Sequence, residues 1–214
     1  MRPFRLGVLV SGSGTNLQAI LDSVHGHEGI EVVCVAANRA DAGGLARAEA
    51  AGVEAAVYPA AEYASRADRD EALADFLAAR EIDLLVLAGF MELLSPDFVR
   101  RFEGRMINVH PSLLPAFPGV RAIEQSIEYG VRVTGVTVHF VDEGVDTGPI
   151  LLQEAIELPY APDIERVEQT IHAVEHRLLP EAIRLIARGA LREEEREAGE
   201  RRRIVIEGGR HGEH

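Results

Sequence analysis

A chain of 214 residues is long enough to bury one substantial α/β core and short for two. Apolar residues make up 47% of it and charged residues 27%, an ordinary globular balance, and no apolar run approaches the length of a membrane span. The formal net charge of −13 argues against a nucleic-acid surface, because phosphate backbones reward clustered cations, and the arginine groups Arg100–Arg101 and Arg201–Arg203 do not overturn that.

Lysine is absent, which excludes a Walker-type phosphate loop and a Schiff-base lysine. The single cysteine, Cys34, cannot form an internal disulfide and reads as a small buried hydrophobe. Met1 to Val10 runs straight into a glycine turn with no small-residue cleavage site, so a cytoplasmic location is expected.

Taken in chain order, Leu6 to Val10 is an apolar run ending in Ser11-Gly12-Ser13-Gly14-Thr15-Asn16, and Leu17 to Val24 has helical periodicity. The pattern predicts strand, glycine turn, helix. Ile30 to Ala37 is the next β-rich run, Ala42 to Ala51 an alanine-rich helix, and Gly52 a helix stop before Val53 to Tyr58. Asp68 to Arg80 repeats apolar positions at helical spacing, and Ile82 to Ala88 is a near-continuous apolar run suited to a strand covered on both faces. Met106 to Val109 reads as a short strand, Val120 to Glu128 as a helix, and Val133 to Val141 and Ile150 to Ile156 as later strands. Asp163 to Arg188 carries its apolar residues on one helical face, with Gly189 as the stop. Alternating strand and helix predicts a parallel, doubly wound sheet with right-handed crossovers. Beyond Gly189 an acid and arginine mixture reads as a solvated tail, in which Ile204 to Ile206 could add an edge strand.

Three segments hold the polar groups of interest. In Gly12 to Asn16 a glycine turn before a helix can present backbone N–H groups to an anion, although a tight turn with no ligand explains it equally well. It is not the dinucleotide fingerprint, since Leu17 stands at the third glycine position and Asn38-Arg39 follow the second strand in place of an acid. In Met106 to Pro115, Asn108 and His110 lie two apart and project to one side of a strand. In Gly135 to Ile150, acids and glycines crowd together after an apolar strand, with Asp146 at their centre. Asn108, His110 and Asp146 together supply what acyl transfer to an amine requires: a donor for an oxyanion, and an imidazole with a carboxylate beside it. No Gly-x-Ser-x-Gly elbow is needed when the substrate's amine is the nucleophile. His110, His139 and Asp146 lack the compact spacing of metal ligands, and no metal is expected.

At these residues the sequence resembles the phosphoribosylglycinamide formyltransferase family, folate-dependent enzymes of purine synthesis. The likeness runs to about Gly189 and rests on Ser11 to Ile20, Leu87-Ala88-Gly89-Phe90-Met91, Asn108 to Pro115, Asp146-Thr147-Gly148-Pro149 and Glu175-His176 in that order. It implies a single-domain Rossmann-like α/β formyltransferase fold over residues 1–189, with a mainly parallel central sheet flanked by helices and a charged extension over 190–214. It also implies transfer of a formyl group from 10-formyltetrahydrofolate, as cosubstrate, to the amine of glycinamide ribonucleotide.

Carried over residue by residue, the resemblance makes Asn108, His110 and Asp146 catalytic, with Asp146 raising the histidine pKa. Gly14, Thr15 and Asn16 would hold the ribonucleotide phosphate, with His172, Ala173, Val174 and Glu175 beside them. Arg66, Met91, Glu92, Leu93, Leu94, Asn108, Val141, Asp142, Glu143, Gly144, Val145 and Asp146 would line the folate pocket. Departures from the family pattern are Glu92 where a basic residue is common, Arg121 where histidine is frequent, Thr137 for serine, and His172 for an uncharged polar residue. The resemblance therefore puts Glu92 at the mouth of the folate pocket, either as a carboxylate that repels the anionic end of the folate or as one that points into solvent or pairs with a neighbouring arginine. Neither a membrane nor a nucleic-acid partner is expected, and the oligomeric state is open, a homodimer being allowed. Related formyltransferases acting on initiator tRNA carry an additional domain and basic surface, and related formyl-folate hydrolases an extra domain before the glycine turn; length and charge here disfavour both.

Overall fold

The computed structural model describes residues 2–194 and 202–207. Strands β1 (Phe4–Val10), β2 (Ile30–Ala37), β3 (Glu54–Val57), β4 (Leu84–Leu87), β5 (Met106–His110), β6 (Val133–Phe140) and β7 (Ile150–Glu157) form one sheet. Its order is β3-β2-β1-β4-β5-β6-β7. Pairing is parallel from β3 to β5, as alternating strand and helix predicts, and antiparallel for β5 with β6 and β6 with β7. Helices α1 (Thr15–Ser23), α2 (Gly43–Ala50), α3 (Arg66–Ala78), α4 (Pro96–Arg101), α5 (Ala122–Tyr129) and α6 (Ile164–Ala187) flank it.

The apolar run of β4 shows why both faces are covered. Leu84 and Val86 enter one core, with Leu17 and Ile20 of α1 and Ile171 and Leu178 of α6. Leu85 and Leu87 enter the other, with Leu73 and Leu77 of α3 and Phe98 of α4. Successive side chains of a strand point to opposite faces, so a strand buried on both must be apolar throughout.

Two elements escape the periodicity reading because they are short: α4 and a single 3-10 turn at Ala60–Glu62. The α4 start is nonetheless written locally, since Ser95 Oγ accepts from Phe98 N–H and Pro96 follows it in the first turn. The helix expected from Val120 begins later, at Ala122, because Arg121 takes the left-handed conformation at its N-cap (φ 59°). Ile204–Ile206 is a strand, β9, but it does not extend the central sheet: it pairs antiparallel with β8 (Leu191–Glu193) in a separate ribbon. Leu191 and Ile204 pack that ribbon against the larger core. Residues 195–201 and 208–214, with most of the charged run and the histidine-containing end, lie outside the described residues.

From β1 the chain winds outward to β2 and β3, then returns to the other side of β1 as β4 and β5. The carboxyl ends of β1 and β4 thus border the crevice where open α/β sheets take ligands. The two loops are joined there: Ser11 N–H donates to Gly89 O (3.2 Å) and Met91 N–H to Ser11 Oγ (2.8 Å). Among the described residues no helix is long and apolar enough to cross a membrane.

Candidate active site

The β5–β6 register puts Asn108 opposite His139 and His110 opposite Thr137. Cross-strand partners share a face, so four polar side chains converge on one side of the sheet. Both imidazoles are buried. Asp146 reaches them from the loop after β6, in the left-handed conformation (φ 53°). Its Oδ2 lies 3.4 Å from His110 Nδ1 and its Oδ1 lies 3.5 Å from His139 Nε2. Gly119 N–H donates to Oδ2 at 2.7 Å. Burial pushes the Asp146 carboxyl up, but the His139 hydrogen bond, the Gly119 N–H and the charge of both rings outweigh it, leaving the pKa below the ordinary value.

The carboxylate is therefore shared by two imidazoles. His139, singled out in the sequence only as an unsuitable metal ligand, belongs to the centre: its Nε2 lies 3.4 Å from Asn108 Nδ2 and its Nδ1 2.8 Å from Phe140 O. The period-two spacing of Thr137 and His139 on a strand beside Asn108 and His110 was the available signal. His110 Nε2 lies 2.8 Å from Phe117 O, so both nitrogens of His110 face acceptors. Thr137 holds the following turn in shape: its Oγ1 donates to Ser112 O and accepts from Leu114 N–H and Gln153 Nε2.

Asn108, His110, His139 and Asp146 stand at the wall of a cleft of about 390 Å³. Arg66, the segment Met91–Leu94 and the segment Val141–Asp146 line it, together with Phe90, Val120 and Arg121. A lining of mixed apolar side chains with a few convergent polar groups suits a small organic ligand. A second cleft, about 460 Å³, lies behind Val141–Gly144 against α4 and β9 and contains none of the four converging side chains.

Of the two readings of Glu92, the structure shows the arginine pair. It lines the cleft, and its carboxylate is bound from within: Asn38 Nδ2 donates to Oε1 at 2.6 Å, and the buried guanidinium of Arg69 pairs with Oε2. Arg69 also serves Asp70, so the cluster fixes the carboxylate in place while keeping a formal negative charge.

At the glycine turn, Gly14 caps α1 with φ 74°, and no side chain caps the first turn of the helix. The first-turn N–H groups of a helix have no partner within it, and they lie at the positive end of the helix dipole, where an anion is favoured. Asn16 Nδ2 donates to Glu175 Oε2 (3.0 Å), and His172 Nδ1 lies 3.0 Å from the same oxygen. The hydrogen bond to Glu175 raises the His172 pKa, against a smaller opposing effect of burial. Val174 is buried against the larger core and Ala173 is exposed, while His172 and Glu175, three apart on α6, share a face on which Glu175 meets Asn16 of α1. Gly14 serves packing as well as any anion, since a Cβ there would lie 2.5 Å from Gly44 Cα of α2. Arg47, not foreseen, reaches the turn from α2, with Nε donating to Ser13 O and Nη1 to Gln18 Oε1.

The formyl transferase family pattern matches residues 4–183. A phosphoribosylglycinamide formyltransferase of Haemophilus influenzae is 41% identical over 189 residues, covering 88% of this chain and 89% of that protein. A trifunctional purine biosynthetic protein adenosine-3 of Bos taurus is 44% identical, covering 88% of this chain but only 19% of that much longer protein. Among solved structures, glycinamide ribonucleotide transformylase 1 from Symbiobacterium toebii superposes with a TM-score of 0.89 at 49% identity, over 96% of this chain and 94% of that one.

Proposed function

The chain belongs to the formyl transferase family, and we propose that it moves the formyl group of 10-formyltetrahydrofolate to the amine of glycinamide ribonucleotide in purine biosynthesis. The observation that carries the reading is the convergence of Asn108, His110 and Asp146 on the wall of a ligand-sized cleft beside an uncapped glycine turn. The bacterial relatives similar over most of their own length bear the corresponding name. Residues 1–189 constitute the catalytic unit in this reading, and 190–214 an appendage to it.

The folate donor is consumed as a substrate, and its reactive end fits the cleft between Met91–Leu94 and Val141–Asp146, with Arg66 toward its carboxylates. The ribonucleotide phosphate takes the N–H groups of Gly14, Thr15 and Asn16, with Glu175 and His172 near the ribose. Asn108 donates to the formyl oxygen as the amine adds to the formyl carbon and negative charge gathers there. His110 donates through Nε2, which exchanges Phe117 O for the substrate oxygen while Nδ1 stays with Asp146. Interactions that strengthen with that charge lower the barrier rather than merely tightening binding. Asp146 orients the His110 ring and balances its charge. The proton lost by the attacking amine is delivered to the departing folate nitrogen through this same acid–base set, and the C–N bond to the donor breaks as the new amide forms. His139 holds Asn108 and Asp146 in register. No step uses a metal.

The direct test is formyl transfer from 10-formyltetrahydrofolate with glycinamide ribonucleotide, water and initiator tRNA offered as separate acceptors, in chelator. Transfer to the ribonucleotide alone is expected. Preference for water or tRNA, or loss of activity in chelator, would overturn the reading. Soluble substrates accord with a cytoplasmic location, and a homodimer is compatible with this reading.

A further inference from the structure

One wall of the cleft, Met91–Leu94, belongs to no helix or strand; it lies in the connection from β4 to α4. Met91 and Leu93 are exposed. Leu94 packs against the smaller core and Met91 N–H donates to Ser11 Oγ, and between these points an ionic cluster fixes the wall. Arg69 is 1% exposed and Asp70 is wholly buried. Arg69 Nε and Nη2 donate to Asp70 Oδ1 at 3.0 and 2.7 Å, while Nη1 pairs with Glu92. Asp70 Oδ2 accepts the Ser95 N–H at 2.6 Å, and Asn38 at the end of β2 donates to the other oxygen of Glu92. Both ends of the wall are thus fastened to two consecutive residues of α3. Only a planar guanidinium can serve two carboxylates along two edges at once; an ammonium is a single point of charge. At the buried Arg69–Asp70 end the geometry is held stiffly, because parting the two leaves a buried charge unpaired.

The geometry points to Arg69 as a positioning residue for the formyl donor. It does not line the cleft, but through Glu92 and Asp70 it sets where Met91–Leu94 stands relative to Val141–Asp146. This rests on the reading of the cleft as the donor's.

The test compares the full chain with Arg69→Lys, Glu92→Gln and Glu92→Met, following thermal melting, kcat and the KM for 10-formyltetrahydrofolate and for the ribonucleotide. Loss of one charged hydrogen bond at the wall is expected to raise the donor KM about tenfold in Arg69→Lys, while the ribonucleotide KM stays at its original value. Glu92→Gln and Glu92→Met should move the donor KM the same way. If Arg69→Lys does not fold, these two variants decide, since both leave Arg69 paired with Asp70.

An unchanged donor KM in folded variants, or equal changes in both KM values that follow the loss of melting temperature, makes the cluster merely structural and overturns the inference. So does a fall in donor KM for Glu92→Gln, greatest for a polyglutamylated donor at low salt, which is the behaviour of a repelling charge. If the unmodified protein neither turns over nor saturably binds 10-formyltetrahydrofolate, the assignment of the cleft has failed as well. Native binding with unaltered variants sinks only the role of Arg69.

Discussion

Asn108 and His110 are two residues apart on one strand, and their chemistry depends on a third group, Asp146, that enters from another loop. Because His110 is proposed to meet charge that develops only in the transition state, His110→Ala should lower kcat by about a hundredfold with little change in either KM. Near-normal turnover in a folded variant would remove it from the chemistry. Asp146→Asn should be comparably severe, since an amide cannot balance the charge of the ring. The depressed pKa of Asp146 has a second consequence. A carboxyl whose folded pKa lies below its unfolded one adds stability above the unfolded value and loses it as pH falls through the folded value. The melting temperatures of the protein and its Asp146→Asn variant should therefore converge in acid, below the ordinary carboxylate range. A difference that persists unchanged at the lowest pH would show that the charge is not what Asp146 contributes.

Helix α1 meets α2 at its start and α6 along its length, and both contacts bear on the glycine turn. Gly14→Ala must place a methyl group against the Gly44 backbone with φ at 74°. It should cost about 2 kcal/mol or more, and weaken ribonucleotide binding in addition to that. A variant of unchanged melting temperature with only a raised KM would confine Gly14 to the ligand. Between α1 and α6, the His172 pair with Glu175 titrates in the opposite sense to Asp146. Its raised pKa means the contribution is full below the unfolded value of 6.5 and is lost as pH rises through the folded one. His172→Gln should accordingly lower the melting temperature in mildly acidic buffer and not in alkaline buffer, by a small amount because the imidazole is half exposed. An equal loss at both pH values would assign the effect to packing. At α4, Ser95→Ala removes the side-chain cap and should cost about 1 kcal/mol, read by denaturant unfolding.

Taken whole, the molecule carries −13 and is proposed to bind two anionic substrates. Its long-range field opposes their approach, and salt screens that field over about 10 Å at 0.1 M. Raising ionic strength from a few millimolar should thus increase kcat/KM for both substrates. A decrease instead would mean that cations near the sites, Arg66 and Arg121 at the cleft and Arg47 at the turn, outweigh the net charge.

Residue order alone determined the alternation of strand and helix, the run of β4 buried on both faces, and the spacing that sends Asn108 and His110 to one side. Each of these depends on local periodicity or turn chemistry, which neighbouring residues specify among themselves. The chain bending at Gly14 was legible too, but not its reason, since Gly44 lies on another helix. Only the tertiary structure decided the state of the charges. Glu92 in isolation is an anion at a pocket mouth; folded, it is one end of a buried cluster because Arg69 and Asn38 come to it from α3 and β2. Asn16 and Glu175, 159 residues apart, share a hydrogen bond. His139 met Asn108 through the β5–β6 register, and β9 found β8 rather than the sheet edge. A side chain's electrostatic role is set by what surrounds it within a few ångströms, and those partners come from segments whose meeting no local pattern encodes.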